Sequence, residues 1–186
     1  MLDTIELLIN EEENKPGVFA ISLVEFPAIE TNFVALAEHQ IKLKTVDEEK
    51  KLVMGVILKP NKKILRKKGE YEYNIQFSDE TVRKASQLYL REVRNHNTTI
   101  DHEVLTDGVY LTESWIVEDK VHDKSALYDL GADVGDWAGT MKIDNPDIWD
   151  AVKAGHYLGF SIEGIFDETP VDKYKEQWEQ IKKILS

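Results

Sequence analysis

The sequence of 186 residues contains no cysteine, which excludes disulfide bonds, a thiolate nucleophile and zinc held by cysteine. No apolar run in the sequence approaches the length of about 18 residues that a membrane-spanning helix needs. Positive charge is scarce, because 23 Lys and Arg face 35 Asp and Glu and leave a net charge of −12. Such a charge repels nucleic-acid phosphates. We therefore expect no membrane and no nucleic-acid partner, and the partners should be proteins.

The composition supplies enough apolar material for one core. Hydrophobic residues make up 42% of the chain and charged residues 31%, as in an ordinary globular domain, and the length suits one domain better than two. No Walker loop, dinucleotide fingerprint or H-E-x-x-H motif occurs, so we expect no cofactor and no metal. The first residues lack the basic region of a signal peptide, which predicts that the chain stays in the compartment of its synthesis.

Apolar and polar residues alternate along much of the chain at the period of two that is typical of strands. Residues 2–9 and 17–24 flank a turn-rich segment, which predicts a β-hairpin at the start of the chain. The segments 98–103 and 110–118 are joined by a turn and are expected to pair with each other. Further strands are predicted at 52–58, 71–77, 133–143 and around Ser161.

Capping signals and apolar periodicity predict three helices. One begins at Ser78, and a second begins at Asn145 and Pro146 and ends before Gly155. The third covers residues 169–186 as an amphipathic helix, which could pack on its own domain or pair with another chain. Over residues 1–168 we expect a single α+β domain, a closed or nearly closed and mainly antiparallel β-barrel of about seven strands flanked by helices.

Residues 59–69 depart from the general acidity of the chain. They hold six cations and no acid. The simpler interpretation is a solvated loop or hairpin tip, and the alternative is a contact with an acidic partner.

The segment 155–164 places a serine inside a strand between glycines. Alternation puts its apolar residues on one face and leaves Gly159, Ser161 and Glu163 on the other. The small neighbours make the Ser161 hydroxyl approachable by a peptide backbone, as a nucleophile requires. The alternative is an ordinary small residue of a half-buried strand, and the segment does not fit the G-x-S-x-G elbow of α/β-hydrolases.

A serine nucleophile needs a base and a group that orients the base. His102 is the candidate base, because it lies in a predicted strand where a neighbouring strand can hold its ring. Glu113, beside Trp115, is the candidate third residue because its strand is expected to pair with the His102 strand. Glu163 is the runner-up, since it shares a face with Ser161. A structural histidine and solvated acids are the alternative interpretation.

Several segments, taken in order, resemble the phage serine proteases of the XkdF type, which are similar to tailed-phage prohead (capsid maturation) proteases. The resemblance covers about residues 5–166, and its motifs are specific as a set. They are the opening at 17–30, VMGVILKP at 53–60, the helix start FSDETV at 77–82, DHE at 101–103, TESWIVED at 112–119 and GFSIEG at 159–164.

The resemblance implies a fold like herpesvirus assemblin, a β-barrel flanked by helices, with Ser161 and His102 as the reacting pair. The third residue varies within the group, so Glu113 depends on the expected strand pairing alone. Assemblin-type enzymes also use an arginine near the oxyanion, yet no arginine follows Arg94. Backbone N–H groups around residues 159–162 are a substitute.

The function that the resemblance implies is a serine endopeptidase that cleaves scaffold and major capsid proteins. It would act in the host bacterial cytoplasm, inside the assembling phage prohead, and could associate with itself. Two alternatives stay open. One is a noncatalytic structural protein of the particle, such as a capsid or tail-tube-like barrel, and the other is a small-molecule-binding barrel.

Overall fold

The computed structural model describes residues 2–25, 44–47 and 49–171. The strands in this part of the chain are β1 Thr4–Leu8, β2 Gly17–Val24, β3 Lys44–Asp47, β4 Leu52–Leu58, β5 Ile64–Lys68, β6 Tyr71–Gln76, β7 Thr98–Ile100, β8 Val104–Leu105, β9 Val109–Ile116, β10 Trp137–Ile143, β11 Gly159–Ile165 and β12 Asp167–Pro170. The helices are α1 Asp79–Arg91, α2 Lys124–Leu127 and α3 Pro146–Lys153, with a short 3₁₀ helix at Arg94–His96.

The described strands form three separate four-stranded sheets, with the orders β12-β1-β6-β5, β3-β4-β10-β9 and β11-β2-β7-β8. A closed barrel requires each strand to be hydrogen-bonded to a neighbour on both sides. Here every sheet keeps two edge strands, and the pairs β1/β6 and β2/β7 are parallel. The prediction of a closed or nearly closed, mainly antiparallel barrel is therefore wrong.

The predicted hairpin at the start of the chain is also wrong. β1 pairs with β12 and β6, whereas β2 pairs with β11 and β7. Residues 9–16 between them are longer than the loops that usually fix hairpin register. In addition, Lys15 and Gly17 have left-handed backbone conformations, with φ of 59° and 69°. The chain turns out of the first sheet, and β2 becomes an inner strand of another.

The local helix signals are confirmed. The Ser78 side chain accepts a hydrogen bond from the Thr81 N–H at the start of α1. The Asn145 side chain caps α3 in the same way, Pro146 opens the helix, and Gly155 has the left-handed φ of 78° expected just after its end. For the predicted helix at 169–186, residues 169 and 170 belong to β12, and residues 172–186 lie outside the described residues.

One core holds the sheets together. Helix α1 packs Tyr89 against Trp137 of β10, with the ring centroids 5.7 Å apart and the planes at 63°, and both side chains are fully buried. β2 is buried along nearly all of its length, which makes its side chains rigid supports for the neighbouring strands. None of the helices in the described residues is long and apolar enough to cross a membrane.

Candidate active site

Three adjacent strands of one sheet bring polar side chains into line. Ser161 of β11 is opposite Ser22 of β2, and Ser22 is opposite Thr99 of β7. Residues that face each other in neighbouring strands point to the same side of the sheet. The three hydroxyl groups therefore lie on one face, next to the turn that follows β7.

His102 lies in that turn and not in a strand. The strand that was predicted over 98–103 ends at Ile100, and Asp101 and His102 have positive φ values of 46° and 62°. The turn that joins β7 to β8 consists of Asp101, His102 and Glu103, because Ile100 pairs with Val104. The Glu103 N–H donates to the Ile100 carbonyl oxygen over 3.0 Å, and positive φ at the two residues between them is typical of a type I′ turn. Because the chain turns back at His102, β7 pairs with β8, and the expected pairing with residues 110–118 is wrong.

Ser161 and His102 meet across the sheet. The Nε2 atom of His102 lies 3.0 Å from the Oγ atom of Ser161, and both side chains are partly buried. This is the hydrogen-bond distance expected between a serine nucleophile and its general base. The structure thus brings together two of the residues that the sequence singled out, although they are 59 positions apart in the chain.

The backbone of His102 is anchored by Ser22, a buried serine of β2. Ser22 is fully buried, and its Oγ accepts a hydrogen bond of 3.0 Å from the His102 backbone N–H. The same hydroxyl lies 3.3 Å from the Thr99 carbonyl oxygen, to which it donates. The Asp101 N–H donates to the Leu23 carbonyl over 3.0 Å. Left-handed conformations in non-glycine residues are costly and gather at functional sites, and here β2 holds the turn in place.

Glu163 is the acid on the far side of the imidazole. Its Oε1 atom lies 3.4 Å from Nδ1 of His102 and accepts a very short hydrogen bond from the Thr99 hydroxyl. The His102 Nδ1 atom is buried and makes no hydrogen bond to any described residue, so the contact with Glu163 is electrostatic and falls short of a hydrogen bond. The order in space is Ser161, His102, Glu163.

The backbone conformation after Glu163 requires a glycine at position 164. A β-bulge interrupts the pairing of β11 with β2 between Glu163 and Gly164. A Cβ atom on Gly164 would lie 2.9 Å from the Gly17 carbonyl oxygen and still closer to the Phe166 ring. Only glycine fits there, and bulges often redirect a side chain beside an active site.

Glu113 lies elsewhere in the structure. It is on β9, which pairs with β10 in a different sheet from Ser161. Its Oε2 atom accepts a hydrogen bond of 2.5 Å from the Thr140 hydroxyl and a very short one from the Lys124 ammonium. The Lys124 contact, followed by that of Thr140, holds the pKa of the Glu113 carboxyl below its usual value. The strand pairing that would have placed Glu113 beside His102 does not exist.

The remaining histidines form no comparable pair in the described part of the chain. His96 packs against Tyr110, with the ring centroids 5.2 Å apart and the planes tilted by 30°. The Nδ1 atom of His122 lies 3.1 Å from an Asp119 oxygen, and His156 is an exposed residue after α3. His39 lies outside the described residues. Among residues 2–25, 44–47 and 49–171, no group of three or more His, Asp or Glu could hold a metal ion.

A cavity of about 510 Å³ opens beside the serine. Ser161, His102 and Glu163 contribute to its wall, and three cations, Lys59, Lys62 and Arg66, lie along it. The rest of the wall is apolar and comes from several strands. The apolar residues are Leu7, Phe19, Ile57, Leu58, Ile64, Ile75, Phe77, Phe160, Ile162 and Phe166.

The serine strand has one unpaired edge in the described structure. Ile21 and Leu23 of β2 hydrogen-bond toward the β7 side, so Ser22 between them bonds toward β11 and Ser161. By the same alternation, the backbone N–H and C=O groups of Phe160 and Ile162 point away from β2. β11 is the outermost strand of its sheet. An extended peptide can pair with such an edge.

Comparison with known proteins identifies a family for the chain. Residues 40–170 match the model of a family described as "Putative phage serine protease XkdF", and the matched segment contains Ser161, His102 and Glu163. No curated protein and no solved structure matches the chain significantly. Because the family match covers well over half of the sequence, the chain belongs to the family of phage serine proteases of the XkdF type.

Proposed function

We propose that the chain is a serine endopeptidase that cleaves scaffold and major capsid proteins inside an assembling phage prohead, in the cytoplasm of the bacterial host. Ser161 is the nucleophile, His102 is the general base, and Glu163 orients the imidazole. The observation that carries the proposal is the 3.0 Å contact between the Ser161 hydroxyl and His102 Nε2 in a member of a phage protease family.

In the first half of the reaction the enzyme is acylated. The Ser161 Oγ atom attacks the carbonyl carbon of the scissile peptide bond while His102 Nε2 takes the hydroxyl proton. The tetrahedral intermediate then collapses, the C–N bond breaks, and His102 gives that proton to the leaving amine. A backbone N–H group of β11 that does not bond to β2, that of Phe160 or that of Ile162, is the candidate for stabilising the oxyanion; the two are roughly 6.6 Å apart along the strand, so only one of them can reach it.

In the second half a water molecule releases the product. His102 removes a proton from the water as its oxygen attacks the acyl carbon, and the C–O bond to Ser161 then breaks. The proton returns to the serine, and the new carboxyl terminus leaves. Both halves need His102 in one tautomer, with the proton on Nδ1, so that Nε2 accepts.

Glu163 supports that tautomer through its position. A carboxylate beside Nδ1 attracts the proton there and stabilises the imidazolium that forms during each step. The distance of 3.4 Å in the free protein is longer than a hydrogen bond, and catalytic contacts of this kind tighten when substrate binds. The Thr99 hydroxyl holds the same carboxylate oxygen from the other side.

Co-expression with the neighbouring scaffold and capsid genes tests the proposal. Ser161→Ala and His102→Ala should each abolish processing of both substrates, which gel mobility and mass spectrometry of the particles detect. His156→Ala, a change at an exposed histidine that precedes β11 and does not line the cavity, is the matched control and should process normally. Unchanged processing in both site variants would reject the protease and favour a noncatalytic structural protein of the particle.

A further inference from the structure

The cavity beside Ser161 differs in charge from the rest of the protein. The chain carries a net charge of −12, yet the cavity wall holds three cations and a single acid, Glu163. That acid is engaged with the Thr99 hydroxyl and with His102. The space next to the nucleophile therefore has a positive side in an otherwise acidic molecule.

The three cations do not have equal freedom to bind a ligand. The Lys59 ammonium lies 2.7 Å from the buried Asp136 carboxylate and 3.3 Å from the Gly131 carbonyl oxygen, so its charge is already compensated. Arg66 is likewise in an interaction within the protein. Lys62, which is half-buried, makes no hydrogen bond and no ion pair with the described residues.

The environment of Lys62 disfavours the charged form of its side chain. Burial lowers the pKa of the Lys62 ammonium, the nearby charge of Lys59 lowers it further, and Asp136 offsets only part of this. An ammonium that has lost part of its hydration without gaining a counter-ion is unfavourable. An anion in the cavity would remove that cost and would gain a charge-assisted hydrogen bond.

The remainder of the cavity fits apolar groups. Phe77 and Phe166 pack edge to face with their centroids 5.1 Å apart, and both belong to the wall. A peptide paired with the edge of β11 would be extended, and every second side chain would then point into the cavity. The cavity wall therefore offers such a peptide an apolar surface and one cation, Lys62, that has no ion pair with the described residues.

We propose that Lys62 determines substrate specificity by forming an ion pair with an aspartate or glutamate side chain near the scissile bond, while large apolar side chains of the same segment occupy the apolar wall. The proposal rests on the proposed protease function. It assigns a role to one residue of the basic segment 59–69, whose exposed lysines, Lys63, Lys67 and Lys68, do not line the cavity.

The experiment maps the cleavage sites in co-expressed scaffold and capsid proteins by mass spectrometry. An acidic residue should recur at a fixed position relative to the cut. Replacing that acid by its amide should slow cleavage by roughly tenfold or more, as the loss of a charged hydrogen bond predicts. Lys62→Glu should impair cleavage of the native site and should regain it when the acid in the substrate is replaced by lysine.

Lys63→Glu is the matched control, because Lys63 is the exposed neighbour and the change in net charge is the same. It should leave the preference unchanged. Lys62→Gln guards against a misfolded Lys62→Glu variant, and it should bring the acid and amide substrates to nearly equal rates. Thermal unfolding of each variant checks that the fold is intact.

Two different outcomes distinguish failure of the proposed role of Lys62 from failure of the proposed protease function. If Ser161→Ala processes substrate like the wild type, the protease proposal fails and the inference fails with it. If Ser161→Ala abolishes processing but the cleavage sites share no acid, or Lys62→Glu retains the wild-type preference, only the role of Lys62 is rejected.

Discussion

Two carboxylates in this protein, Glu163 and Glu113, lie beside different kinds of partner. The Glu113 carboxylate is neutralised by the Lys124 ammonium and bonded to the Thr140 hydroxyl, on a sheet that does not contain the serine. The Glu163 carboxylate faces a buried imidazole nitrogen that has no hydrogen bond in the described structure. An acid that already has a lysine cannot orient a histidine, whereas an acid beside an unsatisfied Nδ1 has that nitrogen as its partner.

The largest effect is expected from His102→Ala. Without a base the Ser161 hydroxyl keeps its proton, and removal of a member of such a group typically lowers the rate by at least about a thousandfold. The measurement is the rate at which a serine-directed fluorophosphonate labels Ser161, together with processing of co-expressed capsid protein. His156→Ala should label at the wild-type rate, and equal labelling of the two variants would remove His102 from the mechanism.

Glu163→Gln is the direct test of the comparison, with Glu113→Gln as its counterpart. The glutamine keeps the shape of Glu163 but loses the charge that favours the productive tautomer, so kcat should fall by about a hundredfold or more with little change in KM. Glu163→Asp should recover part of the loss. Glu113→Gln should keep kcat close to wild type.

The opposite result would exchange the roles of the two acids. If Glu113→Gln lowered kcat and Glu163→Gln did not, the 3.4 Å contact in the free protein would be without catalytic meaning. Circular dichroism spectra of both variants serve as the control for folding. Each of the two variants removes one negative charge, so a general effect of net charge cannot explain a difference in kcat between them.

The two acids also show how much of the fold and of the candidate site could be predicted from the sequence. Local signals predicted correctly the caps at Ser78 and Asn145, and alternation along one strand placed Glu163 on the face of Ser161. Glu113 required knowing which strands pair, and pairing depends on contacts between distant parts of the chain. The closed barrel failed for the same reason, because it needed all the pairings to be right.

The turn at His102 is a more specific lesson. The segment TTIDHE reads as a strand by composition, but Asp101 and His102 adopt positive φ and reverse the chain. Asp is among the residues that tolerate this conformation, so the Asp-His pair was the available turn signal. Ser22 was missed as well, although it is the lone polar residue in the apolar run AISLV. A buried hydroxyl in such a run needs a partner, and here the partner is the His102 backbone.

Ser22→Ala should have an intermediate effect, because it removes a support of His102 but no reacting atom. The partly buried His102 N–H would lose its acceptor, which typically costs about 1–3 kcal/mol of unfolding free energy. The rate of Ser161 labelling should fall by less than in Glu163→Gln, since the imidazole stays present but is held less firmly. Urea unfolding measures the stability, and a variant as stable and as reactive as wild type would show that the turn needs no anchor on β2.

The smallest effect concerns Glu113 and is one of stability. Its pKa is lowered in the folded protein, chiefly by Lys124 and then by Thr140. A lowered folded pKa contributes stability that is present above the unfolded pKa and is lost as the pH falls through the folded value. Because the Glu113 side chain is 47% exposed, solvent screens the pair and its contribution should stay below about 1 kcal/mol.

The difference in unfolding free energy between wild type and Glu113→Gln should therefore be present at neutral pH and shrink as the solution becomes acidic enough to protonate the free carboxyl. Urea titrations at several pH values measure it, and Glu72→Gln, at a similarly exposed ion pair with Lys67, is the control for loss of a surface charge. A difference that grew on acidification would contradict the assignment of the Lys124 pair. With the labelling rate unchanged throughout, Glu113 would be a structural acid and Glu163 the one that belongs to the serine.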